Sequence, residues 1–270
     1  MPRILMTGAA GGIGTSLRKL LAPIYPDLLL SDVKTPADLA PHEKFKAAEL
    51  SDLAQVEAIC EGVDGILHFG GFSVEGPWDT ILPSNIIGCY NLFEAARRKG
   101  VKRVVFASSN HAVGFYPRYH RIGTDVTPRP DGNYGVSKAF GEATGALYAD
   151  KHGLKVTCLR IGNFGDRPLD HRRLSIWLKP EDMVQLCRIG LEHPDIHFEI
   201  LYGASNNERS WWDNHRAYAL GYRPTGRAED FVAHAMAEQA KLKVDPVADF
   251  YQGGAFCSMG FSGDKSRIVE

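Results

Sequence analysis

The sequence predicts an α/β fold built on a doubly wound parallel sheet, with a small C-terminal region beside it. Short, almost wholly apolar runs alternate with helical patterns through the first 160 residues. These runs have no polar face, and strands that are apolar on both sides are typical of parallel sheets covered by helices on both faces. At 270 residues the chain is long enough to bury a substantial core as one domain.

Each predicted strand is a short apolar run. These runs lie at 4–6, 28–30, 65–69, 104–107 and 156–161. Apolar side chains at helical spacing predict the intervening helices, around 13–21, 53–59, 81–98 and 134–148. The third of these helices ends in basic residues followed by Gly100, a typical C-terminal cap. Beyond Asn163 the periodicity weakens, which indicates one or two helices within a looser region.

Composition argues against several classes of protein. The formal net charge of −1 gives no electrostatic basis for binding nucleic acid or a membrane surface, and no apolar run reaches bilayer length. Residues 1–3 lead straight into the first strand without the pattern of a signal peptide, so a cytoplasmic location is expected. The five cysteines are scattered, with no pair at metal-ligand spacing. We therefore expect no disulfide and no metal site.

A glycine-rich turn follows the first strand and opens the first helix. The residues that we expect to form a cofactor site there are Gly8, Gly11, Gly12, Ile13 and Gly14. Such a turn lets the backbone approach a pyrophosphate and directs a helix N-terminus at its negative charge. Its place after the first strand of a βαβ pattern makes it more specific than glycine spacing alone. The fold is therefore predicted to be Rossmann-type.

Acidic and glycine residues at the ends of later strands extend the predicted cofactor site. Asp32 ends the second strand, where a carboxylate accepts hydrogen bonds from ribose hydroxyls and repels a 2′-phosphate, so NAD is favoured over NADP. Asp52 and Leu53 are expected to flank the adenine, and Gly70 and Gly71 follow a strand at the ligand-binding edge. We interpret residues 1–162 as the core cofactor-binding part of a single domain and residues 163–270 mainly as a substrate-side elaboration.

Tyr134 and Lys138 lie four residues apart on one predicted helix, hence on the same face. A nearby ammonium, together with the positive nicotinamide ring, favours a phenolate and makes tyrosine a usable base. The pattern is common by chance, but here it follows a strand that ends in Ser109, whose hydroxyl is suited to holding a substrate oxygen. The glycine turn, the acid, the serine and the Tyr/Lys pair occur in one order. Together they predict hydride-transfer chemistry.

These residues resemble the extended short-chain dehydrogenase/reductases and, within them, the uronate dehydrogenases. The resemblance runs over nearly the whole chain. Its most specific segments are 70–75, 85–88, 107–111, 129–134, 211–214 and 252–256. It implies transfer of a hydride from the anomeric carbon of a cyclic uronic acid to NAD, giving an aldarolactone. Tyr134 would take the hydroxyl proton, Ser109 would hold that oxygen, and Lys138 would also bind the nicotinamide ribose.

The same resemblance implies a set of substrate contacts. The residues implied to contact the sugar are Ser73, Asn110, His111, Asn163 and Phe256, and Arg172 is implied to bind the carboxylate. The fork of a guanidinium suits two carboxylate oxygens. Asn163 stands where the family usually carries a small serine. Arg160, inside a predicted strand, is interpreted as half of a buried structural pair.

Three alternative functions remain open on the sequence. A nucleotide-sugar epimerase or dehydratase would use the same Tyr/Lys pair, but the chain beyond Arg160 is short for seating a nucleotide diphosphate. A neutral aldose 1-dehydrogenase would not need Arg172. A non-catalytic NAD-binding regulator often lacks the tyrosine or the lysine, and both are present here. The outer faces of the helices at 82–98 and 134–148 are candidates for a homo-oligomer interface.

Overall fold

Residues 1–268 are described by the structure, a computed structural model of the chain. The strands are β1 (Ile4–Thr7), β2 (Leu28–Ser31), β3 (Lys44–Phe45), β4 (Gly65–His68), β5 (Arg103–Ser109), β6 (Lys155–Ile161), β7 (Asn163–Phe164), β8 (Trp177–Leu178) and β9 (Phe198–Gly203). Within this described part, seven parallel strands form one sheet in the order β3-β2-β1-β4-β5-β6-β9, and β7 pairs with β8 separately. The predicted Rossmann-type, doubly wound parallel sheet is confirmed.

Helices connect the strands and cover the sheet. They are α1 (Gly12–Leu21), α2 (Leu53–Ile59), α3 (Trp78–Ile81), α4 (Gly88–Arg98), α5 (Asn133–His152), α6 (Arg173–Ile176), α7 (Pro180–Glu192), α8 (His215–Ala219), α9 (Val232–Gln239) and α10 (Ala255–Ser258). Among the described residues, none of these helices combines the length and the apolarity needed to span a bilayer.

The helix predicted at 81–98 starts earlier and is interrupted. It begins at Trp78 with α3, and the six residues Leu82–Ile87 form a π-helical segment before α4 continues it. Pro83 cannot donate a backbone hydrogen bond, which loosens the helical pattern at this point. The wider turn places the amide of Asn85 in a buried position near the carboxyl end of β4.

Adjacent residues of each strand contribute to two different cores. In β1, Leu5 packs with the cluster under α2, α4 and α5, whereas Met6 packs with the cluster under α1 and α7. Both side chains are fully buried because successive residues of a strand point to opposite faces, and both faces are covered. The apolar runs in the sequence therefore correspond to a sheet buried on both sides.

The chain beyond residue 162 contributes more to the sheet than its weak periodicity indicated. Strand β9 pairs with β6 as the edge of the main sheet, and α7 packs on β5. The first half of β9 is only partly covered, and Glu199 there pairs with Arg216. An edge strand that carries a charged residue does not read as a continuous apolar run.

A buried ion pair ties α5 to the sheet. Arg160 on β6 donates from Nε and Nη2 to the two carboxylate oxygens of Glu142, both at 2.9 Å. The hydroxyl of Ser108 on β5 donates to the same carboxylate at 2.6 Å. The interpretation of Arg160 as half of a buried structural pair is confirmed, and the pair holds α5 in place against β5 and β6.

Candidate active site

The carboxyl ends of β1, β2 and β4 open into a cleft of about 580 Å³. The glycine turn forms part of its wall, and Gly8 has a φ of 73°, where a side chain would also meet the backbone of Phe69 at 2.5 Å. No side chain in the described part of the chain caps the first turn of α1, whose N-cap is Gly11. The backbone N–H groups there are available to an anion. Lining residues include all five predicted at the turn, Gly8, Gly11, Gly12, Ile13 and Gly14.

Asp32 lies in the wall of this cleft, directly after β2. Its carboxylate accepts hydrogen bonds from the backbone N–H of Ala10 at 3.0 Å and of Val33 at 2.7 Å. These bonds hold the carboxylate beside the glycine turn, where the adenosine ribose of a dinucleotide would lie. The residues present therefore fit NAD: uncapped helix N–H groups for its pyrophosphate and a fixed acid for its ribose.

Asp52 and Leu53 follow closely on the residues that line the cleft, and their place beside the adenine stays a prediction. Asp52 is also the N-cap of α2, because its carboxylate accepts from the backbone N–H of Ala54 at 2.9 Å and of Gln55 at 3.2 Å. The cleft wall at this point is formed by the preceding residues, Ala48, Glu49 and Leu50. The Asp-x-x-Gln spacing was a capping signal in the sequence that pointed to this structural role.

The loop after β4 borders the cleft and is held by Asn85, whose role sequence reasoning missed. The Asn85 amide accepts from the backbone N–H of Phe72 at 2.7 Å and donates to the Phe72 carbonyl at 2.9 Å. It also donates to the hydroxyl of Ser137 on α5 at 3.1 Å. One buried amide thus links the loop carrying Gly70 and Gly71 to the helix carrying Tyr134. The sequence signal for this role is that Asn85 is a polar residue inside an apolar helical stretch.

A second pocket, of about 290 Å³, adjoins the cleft. The two share the wall formed by Gly12, Ile13 and the loop after β4. Predicted residues that line this second pocket are Ser73, Ser109, Asn110, His111, Tyr134 and Lys138. Its size suits a ligand much smaller than a dinucleotide. The predicted catalytic residues therefore meet where the cleft opens into a small polar pocket.

The Tyr134 side chain lies between Ser109 and Lys138. The Ser109 side chain lies close enough to the Tyr134 hydroxyl to lower its pKa, and both line the small pocket. The Lys138 ammonium donates to the carbonyl of Ala107 at 2.8 Å and lies 5.3 Å from the centre of the Tyr134 ring. Tyr134 and Lys138 lie one helical turn apart on α5, and Ser109 ends β5, so the contact of α5 with β5 assembles the group.

Burial shifts the pKa values of the two titratable groups in opposite directions. It raises the pKa of Tyr134 to about 12, against a smaller lowering by the hydrogen bond with Ser109. It lowers the pKa of Lys138 to about 8. The protein groups by themselves do not produce the lowered tyrosine pKa that the sequence pattern predicts, because removal from water outweighs the lowering by Ser109.

Glu75 fixes the start of the catalytic helix. Its carboxylate accepts from the backbone N–H of Asn133 at 3.1 Å and of Tyr134 at 3.0 Å, at the N-terminus of α5. A negative charge there complements the helix dipole as well as the exposed N–H groups. Glu75 follows Ser73 in the loop after β4, so this loop and the catalytic tyrosine are held together. In the sequence, Glu75 stands out only as part of segment 70–75, on which the family resemblance rests.

His111 and Phe256 form an aromatic wall beside the tyrosine. Their rings stack with centroids 4.0 Å apart, and Tyr134 meets the His111 ring edge-on at 5.8 Å. Nδ1 of His111 lies 2.7 Å from the carboxylate of Asp131. Phe256 does not itself line the pocket, but it covers one face of a residue that does.

Arg172 and Asn163 also lie outside the pocket lining, where Phe164 takes the place expected of Asn163. Hydrogen-bond partners fix the Asn110 amide so that its nitrogen donates to the Ile161 carbonyl at 3.1 Å and its oxygen accepts from Arg172 Nη2 at 3.0 Å. Nε of Arg172 donates to the Gln252 carbonyl at 2.7 Å. Arg172 therefore reaches the pocket wall through Asn110.

The guanidinium of Arg172 is poorly compensated for a half-buried cation. Within residues 1–268 no carboxylate pairs with it, since the nearby Asp170 pairs with Arg173. Removal from water, together with the positive charges of Arg173 and Arg118, lowers the pKa of Arg172 to about 10. A cation in this setting gains from an anionic ligand placed next to it.

Sequence comparisons find similar proteins over most of the chain. A model of the NAD dependent epimerase/dehydratase family matches residues 4–195. The uronate dehydrogenase of Pseudomonas syringae pv. tomato is 44% identical over 267 residues, which cover 97% of this chain and 96% of that protein.

Solved structures of similar proteins have the same fold as this chain. The crystal structure of uronate dehydrogenase from Agrobacterium tumefaciens is 43% identical, with a TM-score of 0.90 over 96% of this chain and 97% of that one. A tyrosine-to-alanine variant of that enzyme complexed with NAD matches with the same identity, coverage and TM-score.

Proposed function

This chain belongs to the NAD dependent epimerase/dehydratase family, and on that premise we propose that it is an NAD-dependent dehydrogenase of uronic acids. It oxidises the anomeric carbon of a galacturonate- or glucuronate-type sugar acid to an aldarolactone. The observation that carries this proposal is the wall shared by the dinucleotide cleft and the small pocket lined by Tyr134 and Ser109. A sugar in the small pocket lies next to both the cofactor and the base.

The glycine turn and Asp32 bind the cofactor. Backbone N–H groups at the start of α1 receive the pyrophosphate, and the Asp32 carboxylate accepts from the ribose hydroxyls and disfavours a 2′-phosphate. Gly70 and Gly71 line the cleft beside β4, and Lys138, in the adjoining pocket, bonds the nicotinamide ribose. When bound, NAD supplies the acceptor for the hydride that leaves the anomeric carbon.

Tyr134 takes the proton of the anomeric hydroxyl while Ser109 donates a hydrogen bond to the same oxygen. Loss of this proton and of the hydride converts the C–OH group into the carbonyl of the lactone. Once Lys138 has lost its proton, it accepts the proton of Tyr134, and the ammonium so formed favours the phenolate. Burial of all three side chains keeps competing water away from the proton transfer.

The sugar acid is bound by the remaining residues around the small pocket. Arg172 binds the carboxylate, which supplies the anionic partner that its half-buried guanidinium lacks. Ser73, Asn110 and His111 contact sugar hydroxyls, with Asn163 and Phe256 at the margin of the site. Asn110, bonded to Arg172, couples carboxylate binding to the pocket wall.

We further propose a cytoplasmic enzyme that assembles as a homo-oligomer. The outer faces of α4 and α5 expose large apolar side chains, among them Tyr90, Val136 and Leu147. Such faces are buried readily between copies of a chain. Light scattering of the purified protein tests this, and a monomeric mass at micromolar concentration would contradict it.

The decisive experiment follows NADH formation by purified protein supplied with NAD. Galacturonate, glucuronate, galactose and glucose are compared in parallel. Turnover with the uronates, and little with the neutral sugars, is expected because only the uronates place a carboxylate near Arg172. Turnover with neutral sugars alone would indicate an aldose dehydrogenase instead. No NADH formation with any of the four sugars would overturn the proposal.

Tyr134→Phe tests the assignment of the base. The variant lacks the proton acceptor, so kcat should fall by about 10²–10⁴-fold, while the dissociation constant for NAD stays close to the wild-type value. Tyr90→Phe, a change of the same chemistry on the exposed face of α4, should leave kcat unchanged. Wild-type turnover by Tyr134→Phe would exclude Tyr134 as the base.

A further inference from the structure

Asp131 is a buried carboxylate next to the small pocket that the proposed mechanism does not use. Its side chain is 0% exposed, and Oδ2 lies 2.7 Å from Nδ1 of His111. Oδ1 has no hydrogen-bond partner among the described residues. A carboxylate in this position costs folding free energy, because its second oxygen loses water without gaining a donor. Such a cost suggests a functional role for the residue.

The backbone around Asp131 is shaped to accept this carboxylate. A Cβ atom at Gly114 would lie 2.0 Å from Oδ2, and one at Gly253 would lie 1.8 Å from it. The two glycines belong to segments that are joined to each other, since the Gly253 N–H donates to the Gly114 carbonyl at 2.9 Å. Only glycine fits at either position with Asp131 as it stands, so the carboxylate is confined beside His111.

With Asp131 ionised, its contact with His111 decides which ring nitrogen carries the proton. An ionised carboxylate can only accept, so Nδ1 must be the donor in the bond with Asp131. In a neutral imidazole the other nitrogen, Nε2, then has a free lone pair and acts only as an acceptor. Without Asp131, either nitrogen could carry the proton.

The ring of His111 is also fixed in direction. Phe256 stacks on one face, Tyr134 meets it edge-on, and Nδ1 is held by Asp131. His111 lines the small pocket, and Nε2 has no hydrogen-bond partner within residues 1–268. Nε2 is therefore the polar atom of this side chain that remains for a ligand.

We propose that Asp131 is a positioning residue that holds His111 in its Nδ1–H tautomer, so that Nε2 accepts a hydrogen bond from a sugar hydroxyl. The sugar part of this inference rests on the proposed function. The tautomer part rests on the Asp131–His111 contact and the glycine cradle alone. Asp131 itself does not touch the substrate, and it acts through the histidine.

The first experiment measures the tautomer without any turnover. Protein labelled with ¹⁵N in histidine is examined by long-range ¹H–¹⁵N correlation at neutral pH, with His111→Gln used to assign the signal. A protonated Nδ1 and an unprotonated Nε2 are expected. A proton on Nε2, alone or together with one on Nδ1, would overturn the proposal whatever the substrate is.

The second experiment measures the consequence for substrate binding. In Asp131→Asn, an amide N–H can donate to Nδ1, which moves the ring proton to Nε2 and turns the acceptor into a donor. The KM for uronate should rise about 10-fold, while the dissociation constant for NAD is unchanged. The matched control is Asp150→Asn, which alters an exposed Asp–His pair with His197 at a similar distance, 2.8 Å, and should not change KM.

A double variant separates positioning from general damage to the fold. If Asp131 acts through His111, adding Asp131→Asn to His111→Ala should cause no further rise in KM. Full additivity of the two losses, or a wild-type KM in Asp131→Asn, would overturn the proposed role. A wild-type protein that oxidises no uronate would defeat the proposed function, yet the tautomer measurement would still decide the role of Asp131.

Discussion

The pKa values of the active-site tyrosine and lysine are governed by their removal from water. In solution the tyrosine and lysine side chains have similar pKa values, whereas here burial raises that of Tyr134 to about 12 and lowers that of Lys138 to about 8. The order of proton loss is therefore set by the fold, and Lys138 loses its proton first. A site that must take a proton from a sugar hydroxyl has to lose one beforehand.

The pH dependence of oxidation should follow Lys138. We expect kcat/KM for uronate to be low below about pH 7 and to rise to a plateau above about pH 8–9, because only the form that has lost this proton can accept another. Lys138→Arg replaces the titrating group by one that stays charged, so the rise should move to higher pH. A rise that stays near pH 8 in this variant would assign the ionisation to another group.

Arg172 gives a second prediction at the residue scale. Arg172→Ala should raise KM for uronates about 100-fold, because a charge-assisted and bidentate contact to the carboxylate is lost. Any activity on neutral sugars should change much less. Arg188→Ala, which removes a surface arginine paired with Glu192, is the matched control and should leave KM unchanged. Equal damage to uronates and neutral sugars would mean that Arg172 acts only by holding Asn110 and Gln252.

Among the elements, α5 carries the chemistry and is held at three points along its length. Glu75 bonds its first N–H groups, Glu142 in its middle pairs with Arg160, and Tyr148 near its end donates to Glu94 of α4 at 2.9 Å. Three carboxylates thus fix the helix that places Tyr134 and Lys138. The sequence predicted the helix and a buried partner for Arg160, but not the restraints by Glu75 and Glu94.

Glu94 makes the restraint between α4 and α5 dependent on pH. Hydrogen bonds from Arg97, Arg98 and Tyr148 lower the pKa of Glu94 to about 2. A carboxyl whose pKa is lower in the folded state contributes stability above its unfolded pKa, about 4.5, and loses it as the pH falls toward 2. This stabilisation is therefore present at neutral pH.

Glu94→Gln should lower the free energy of unfolding by about 2 kcal/mol at neutral pH, a value that allows for screening at the partly exposed arginines. The difference from wild type should shrink as the pH falls below about 4.5, as measured by urea unfolding at several pH values. Glu61→Gln, which removes an exposed partner of Lys99, should change stability little. A difference independent of pH would refute the electrostatic origin.

For the molecule as a whole, the C-terminal segment closes the site by joining parts of the chain that are distant in sequence. The Gln252 side chain is buried and donates to the carbonyls of Pro117 at 3.1 Å and His120 at 2.8 Å. Its oxygen accepts from the indole N–H of Trp212 at 2.9 Å, and its backbone carbonyl accepts from Arg172. Through its side chain and its backbone carbonyl, this one residue therefore holds three segments around the substrate side.

Gln252→Leu should lower the free energy of unfolding by about 3 kcal/mol, because it leaves buried carbonyls and an indole N–H without partners. KM for uronate should rise as well, since the segment also positions Arg172. Urea unfolding and steady-state kinetics measure the two effects. Gln239→Leu removes a single surface contact with His171 and serves as the control. Unchanged stability in Gln252→Leu would show that these segments are held by other contacts.

Much of the fold was predictable because its determinants are local. The apolar strands β1, β2, β4, β5 and β6, the helices between them and the parallel sheet follow from runs and periods of apolar residues. The edge strand β9 was missed because only part of it is buried. The capping role of Asp52 was not predicted, because an acidic residue before a helix suits a cap and a ligand contact equally well.

The sequence by itself determined the order of the chemical groups along the chain: the glycine turn, Asp32, Ser109, Tyr134 and Lys138. Each of these lies at the end or on one face of a regular element, and local patterns place such elements reliably. Only the tertiary structure decided that Asn85, Glu75 and Asp131 position those groups, and that Arg172 reaches the pocket through Asn110. Such contacts join residues far apart in sequence, and packing between elements, which leaves no local pattern, brings them together.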